Sequence, residues 1–391
     1  GSTEAMRVLS TCRPARGHFH PLVPLARALA AASHDVAFAT GEPFRGTVEA
    51  AGFEAFGAGL SHDQWLAEMT ARFGDFRRRI PRTEHRAFFF GQVFADLELP
   101  ARLTDLLTIA DKWQPDLLVH GLADFAGPLA AELAGIPHVT CGYGPLLEPE
   151  VAEVAAAAAG RHWAAAGLDP SGARLYRSLY LDPCPPGLQV PAVSQVPRRL
   201  PVRPESAEDA AEDAPEPWLG RLPAVPTVYL TLGTVWNDAH GVFTTVLDGL
   251  AGRPLNVIVT VGPDADPGVL GPQPDNVHVS RYIPQSRLLG HCDLVICHGG
   301  AGSMLGALSS GVPVLILPLA ADQFYNAGQV VGAGAGRQLA GPELTADAVA
   351  REVRLLLDDP RYRAAAAGIA AEIAAMPPAS SAVPVLEALA A

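Results

Sequence analysis

Short apolar runs alternate with amphipathic stretches along this chain, and the alternation starts twice. From Met6, RVLST is followed by the helical pattern HPLVPLARALAAAS, then DVAFAT, then FRGTVEAAG; DLLVH, FAGPLAAELAG and PHVTCG extend the series. At TVYLTLGT (227–234) it restarts and continues through VFTTVLDGLAG, NVIVTVG, VHVSRYI, LLGHCDLVICHGG and PVLILPLA. Runs this short, joined through helices, pair as parallel strands, because a parallel pair needs a crossover and a helix supplies one. The expectation is α/β, with two doubly wound parallel-sheet domains.

Between the two series lies PVRPESAEDAAEDAPEPWLGRLPAVP, rich in proline and acid, which buries little and reads as linker or surface loop. The boundaries expected from this are an N-terminal domain over 6–203, a linker over 204–226, a C-terminal domain over 227–375, and a C-terminal helix over 376–391; AEIAAMPPASSAVPVLEALAA reads as two short helices broken at Pro377-Pro378. The Arg-rich segment from Ser61 to Arg86 reads as a mobile region or an exposed helix and loop. GSTEA ahead of Met6 reads as a non-native remnant.

Composition narrows the partners. A formal charge of −13 argues against nucleic acid, whose phosphates need basic patches. The apolar runs are too short to span a bilayer, so a cytoplasmic protein without a membrane span is expected. Five cysteines without a Cys-x-x-Cys fit reduced thiols. The one lysine, Lys112, removes any phosphate-binding Gly-Lys-Ser/Thr loop.

Five stretches can carry chemistry. In DLVICHGGAGSMLGAL a buried strand runs into His298-Gly299-Gly300-Ala301-Gly302-Ser303 and a helix. Glycines let a backbone approach an anion, and free N–H groups at a helix start point toward it. His298 and Ser303 can donate to phosphate oxygens; the plain alternative is a tight turn. Gly233-Thr234 ends the strand TVYLTLG and can touch the same phosphates. In RYIPQ, Pro284 holds Ile283 extended, so its backbone can pair with a base edge. Asp322 and Gln323 follow PVLIL and suit sugar hydroxyls, although Asp is also a good helix cap. His18, after the first strand in RPARGHFHPL, can be a general base or a cap; His18 and His20 together can also be half of a metal site.

In that order, GHFHPLVPLARAL, LTLGT, YIPQ, HGGAGS and GVPVLILPLAADQFYNA resemble the nucleotide-sugar-dependent glycosyltransferases of the GT-B fold, in the family that includes plant UDP-glycosyltransferases. The nearest likeness is to the actinobacterial branch that decorates antibiotics such as macrolides and enediynes. The resemblance runs from Met6 to the end of the chain. It implies two Rossmann-like domains facing across a cleft, the acceptor on the first and the nucleotide sugar on the second, with the C-terminal helix returning to the first. His18 matches the catalytic base. Thr234, His298, Gly300, Gly302 and Ser303 match diphosphate contacts, Ile283 the contact to the base, and Asp322 and Gln323 the sugar contacts. Where the family places an acid to orient the histidine this chain has Gly121, and Asp124 is the nearest substitute. The plant tryptophan that stacks on uracil is absent, with Tyr282 near its place, which makes a dTDP-sugar the better expectation than UDP.

The expected activity is therefore an inverting transfer of a deoxysugar from a dTDP-sugar to a hydroxyl of a natural-product aglycone, with His18 as base, no metal and no cofactor. Phe88, Phe90 and Phe94 in HRAFFFGQVFADL are candidates for an apolar acceptor pocket, unless they are plain core. A monomer or homodimer is expected. The competing readings are a non-catalytic sugar-nucleotide-binding helper subunit and a metal-dependent hydrolase using His18 and His20.

Overall fold

Every strand pairing among the described residues is parallel. The structure is a computed structural model that describes residues 4–208, 216–233, 240–320 and 322–391. The first sheet contains Arg7–Thr11 (β1), Asp35–Thr40 (β2), Glu54–Gly57 (β3), Leu117–Gly121 (β4), His138–Cys141 (β5), Leu179–Asp182 (β6) and Arg199–Pro201 (β7), in the order β3-β2-β1-β4-β5-β6-β7. The second contains Thr227–Thr231 (β8), Asn256–Thr260 (β9), Val277–Ser280 (β10), Leu294–Cys297 (β11), Val314–Ile316 (β12) and Gly336–Gln338 (β13), in the order β10-β9-β8-β11-β12-β13. The inner strands β4, β8, β9 and β11 are buried at every position. Helices cover both faces of such a sheet, which is why these strands read as continuous apolar runs rather than alternating ones.

Each sheet turns back at its oldest strand. β1 lies between β2 and β4, and β8 lies between β9 and β11. Successive crossovers therefore leave β1 and β4, and again β8 and β11, on opposite sides. The crevice this opens at the carboxyl ends is where doubly wound sheets take ligands.

The chain divides into two compact units, one of residues 1–184, 190–205 and 377–391, the other of 185–189 and 206–376. The acidic stretch is not wholly loose: Trp218 stacks on His278 with ring centroids 4.6 Å apart, and Leu219 is buried. The Arg-rich segment folds as the helix His62–Phe73, opened by a capping box between Ser61 and Gln64 and largely exposed. The last helix, Val383–Ala390, belongs to the first unit, where Glu387 meets the buried His34 at 2.9 Å. His34 accepts at its other ring nitrogen from the Met6 N–H, so one imidazole ties the start of β1 to the end of the chain. One stretch, Pro360–Ala390, is long and apolar enough to cross a membrane, but its helix stops at Ala375 and the chain passes Pro377-Pro378 before the next begins.

Leu386 is fully buried in the first unit. Leu386→Ala is expected to lower unfolding stability by about 2–5 kcal/mol. In urea the midpoint should fall with an unchanged slope; an unchanged midpoint would mean that the last helix does not pack as described.

Candidate functional site

The turn after β1 passes through Arg13 into a four-residue helix, Arg16–Phe19, which holds His18 half-buried. Phe19 anchors the turn, fully buried edge-on against Phe38. Phe94 and Tyr143 stand edge-on to the His18 ring at 6.3 and 5.7 Å. Arg13 Nη1 lies 3.4 Å from His18 Nε2. A guanidinium only donates, so this contact requires an unprotonated Nε2. Glu98 grips Arg13 in a fork, accepting from Nε and Nη2 at 2.7 Å each, and Trp65 Nε1 donates to the same carboxylate at 2.9 Å. Below the guanidinium lies Phe94, 3.8 Å from Cζ to ring centre. Phe94 and Glu98 reach Arg13 together because they stand four residues apart on one helical face, where the π-helix Phe89–Leu97 passes into the helix Leu99–Trp113 at Glu98. π turns are rare and recur at functional sites. Burial, and after it the charge of Arg13, lowers the His18 pKa to about 3.

Asp124 sits after β4, but its carboxylate is committed elsewhere. Arg102 donates to it at 2.7 and 3.4 Å, and the Gly127 N–H at 3.3 Å. The expected hydrogen bond from His18 to Asp124 is not among those of the described residues, because a buried guanidinium is the stronger claimant. Burial alone would raise the Asp124 pKa; the charge and hydrogen bonds of Arg102 bring it below the ordinary value. Of the three candidate aromatics, Phe94 alone touches the His18 cluster. Phe90 is buried in the main core behind it, and Phe88 is buried among Phe73, Phe76 and Phe89. His20 is exposed, and no group of three or more His, Cys, Asp or Glu is placed to hold a metal ion among the described residues.

In the second unit, β11 ends at Cys297 and the helix Ala301–Ser309 begins after Gly300. The imidazole of His298 fits between two glycines: a Cβ at Gly233 or at Gly300 would stand 2.8 Å from its Nε2. Gly233 also has φ +74°, a conformation that side chains disfavour. His298 Nδ1 is buried without a hydrogen-bond partner among the described residues, and burial lowers the pKa of the ring to about 4. A Cβ at Gly302 would meet nothing within 4 Å, so the helix start opens onto free space. Ser303 lies on the same first turn. Thr234 falls outside the described residues.

Asp322 and Gln323 open the helix Gln323–Gly332. Gln323 Oε1 accepts from the N–H groups of Leu319 and Ala320 at 2.8 and 3.0 Å, so its carbonyl end holds the loop. Asn326, not singled out from the sequence, is buried and donates to Gly299 O at 2.9 Å and to Asp322 at 3.1 Å. It ties the glycine turn to the Asp-Gln turn. Its signal was its place, one turn after Asp322. Ile283 is buried, and its backbone N–H and C=O make no hydrogen bond among the described residues. Beside it, Glu208 accepts from the Tyr282 hydroxyl and, at 2.8 Å, from the Gln285 N–H.

The family model for the erythromycin biosynthesis protein CIII-like N-terminal domain matches residues 27–233, and that for the C-terminal domain residues 244–389. The chain belongs to the erythromycin CIII-like glycosyltransferases. The L-demethylnoviosyl transferase of Streptomyces niveus is 34% identical over 380 residues, 95% of each chain. A glycosyltransferase structure from Streptomyces nogalater is 30% identical with a TM-score of 0.78, covering 99% of this chain and all of that one. A spinosyn rhamnosyltransferase complexed with thymidine diphosphate is 26% identical with a TM-score of 0.80, over 98% of this chain and all of its own. The transferase is thus an enzyme of the GT-B fold in an antibiotic-biosynthesis family, and the hydrolase and helper-subunit readings fall away. The actinobacterial antibiotic branch expected from the motifs is borne out; the wider placement with plant UDP-glycosyltransferases is corrected, because HGGAGS and the Asp-Gln pair are motifs broad enough to suggest both.

The Arg102–Asp124 pair is buried on both sides, with side chains 5% and 0% exposed. Asp124→Asn leaves the guanidinium buried without its counter-charge and is expected to cost about 3–5 kcal/mol. Calorimetry should show a clear fall in Tm; an unchanged Tm would deny the pair this role. The histidines set the acid limit. His18, His120 and His298 have pKa values of about 3, 3 and 4 against an ordinary 6.5. Between these limits the unfolded chain binds protons that the folded chain refuses, so stability falls as pH drops below about 6.5. Urea midpoints at neutral pH and at about pH 5 read this loss; equal midpoints would contradict it.

Proposed function

We propose that the transferase moves a deoxysugar from a dTDP-sugar to a hydroxyl of an apolar aglycone, with inversion at the anomeric carbon. The observation that carries this reading is the turn after β11. It offers an unpartnered, buried His298 Nδ1, an open helix start at Gly302, and glycines where a side chain would displace the His298 ring. A diphosphate placed there meets the N–H groups of the first helical turn and the positive end of the helix dipole. The relative that carries thymidine diphosphate supports thymidine as the nucleoside, as does a second, in complex with dTDP, at 26% identity and a TM-score of 0.74. Another structure of the spinosyn enzyme holds its aglycone, which supports a small-molecule acceptor. Asp322 and the amide of Gln323 are assigned to the sugar, and the free backbone of Ile283 to the base edge.

In this reading His18 takes the proton of the acceptor hydroxyl, the oxygen attacks the anomeric carbon, and the diphosphate leaves from the opposite face. The leaving charge is met by fixed N–H groups and His298, which need no reorganisation during transfer. No metal has a part in these steps.

Gly302→Ala separates the site from the fold. Alanine is preferred to glycine in a helix by about 0.5–1 kcal/mol, and the added methyl has free space, so stability should hold or rise. Affinity for thymidine diphosphate, measured by titration calorimetry, should fall at least about tenfold, or 1.4 kcal/mol, as the methyl enters the phosphate space. Full affinity in this variant would remove the turn from the donor site. His18→Ala should lower kcat by about 10²–10⁴ while leaving that affinity unchanged.

A further inference from the structure

The surroundings of His18 are built differently from those of a histidine that must hold a proton. Burial depresses the basicity of His18 first, and Arg13 from the β1 turn, 3.4 Å from its Nε2, adds to this; Asp124 opposes them, and Arg102 from the helix Leu99–Trp113 lowers it by less. The two carboxylates nearby, Glu98 and Asp124, are each turned onto one of these arginines. At residue 121 a side chain would enter the His18 turn, with its Cβ 3.9 Å from His18 O, but the residue is glycine. An imidazolium at His18 is therefore poorly supported. A negative oxygen beside it is well supported, because Glu98 takes Nε and Nη2 of Arg13 and leaves Nη1 toward His18. Phe94 and Tyr143, edge-on to the imidazole, supply flat apolar walls at the same place.

We propose that the acceptor is an acidic hydroxyl on a planar ring, a phenol or enol rather than an aliphatic alcohol, and that Arg13 Nη1 carries the charge of its oxygen. The inference rests on the reading of the His18 face as the acceptor site. On binding, Nη1 turns from His18 Nε2 to the acceptor oxygen and frees that nitrogen. The O–H bond breaks with its proton passing to Nε2. The oxygen pair forms the bond to the anomeric carbon, and the bond from that carbon to the diphosphate breaks with its pair on the diphosphate. A phenol releases its proton readily enough for a weakly basic imidazole to accept it; an aliphatic alcohol does not.

Two arms test this on the full chain. In the first, 4-nitrophenol is bound to the protein and titrated by absorbance. Its apparent pKa should fall by about one unit, a tenfold gain in phenolate. The fall should vanish in Arg13→Met, persist in part in Arg13→Lys and survive His18→Ala. No saturable binding, an unshifted pKa, or an equal shift in Arg13→Met overturns the proposal. In the second arm, a dTDP-deoxysugar, dTDP-rhamnose, is offered with phenols of graded acidity and with their saturated alcohols. Transfer to the phenols alone supports the proposal. Equal transfer to both sinks it and leaves the transferase reading standing. A phenolate shift with transfer that is equally fast in His18→Ala upholds Arg13 as the oxygen's partner and sinks the His18-base reading instead.

Discussion

A parallel strand cannot be joined to its neighbour by a tight turn, and that constraint organises this transferase. Each strand must be followed by a crossover, so all carboxyl ends of a sheet lie at one edge. Where the order reverses, at β1 with β4 and at β8 with β11, two loops diverge and leave a crevice. His18 and Asp124 flank the first reversal; Gly233 and His298 flank the second. The residues come together because backbone pairing puts them there, before any side chain is considered. By contrast, the cavity of about 320 Å³ lined by Arg45, Glu54, Lys112 and Trp113 runs along the edge strand β3, away from both reversals.

Charge then decides what each crevice can do. In the first, arginines are paired with carboxylates in a protein interior where unpaired charge is costly. The pairs Arg13–Glu98 and Arg102–Asp124 keep the acids away from His18. In the second, there is no such pairing at the glycine turn among the described residues. An orphaned imidazole nitrogen and a bare helix start remain, groups that an anion satisfies. In the proposed reading the first crevice takes the proton of the acceptor and the second takes the diphosphate.

The repeated strand-helix rhythm, the restart near Thr227, the strand-turn-helix at His298 and the break at Pro377-Pro378 could all be read from the chain, because local periodicity and backbone preference write them there. The strands β6, β7 and β13 could not: LYLD, RLP and GRQ are too short to show a period, and only pairing with a neighbour makes them strands. Likewise HRAFFFGQVF gave no means to tell Phe94, which lies beneath Arg13, from Phe88 and Phe90, which fill core. Packing against Arg13 and the core sorts them, and packing leaves no sequence period.

What the sequence by itself determined is the set of chemical groups and the order of the elements that carry them: a histidine after the first strand, a glycine-rich helix start, an Asp-Gln pair. What only the tertiary structure decided is which charge meets which. Asp124 follows β4 and was a reasonable partner for His18, but Arg102, 22 residues earlier, reaches it first. Glu98, 85 residues from Arg13, takes the other cation. Ion pairing acts through space at a few ångströms and depends on burial, so it is settled by packing and leaves no trace in spacing along the chain.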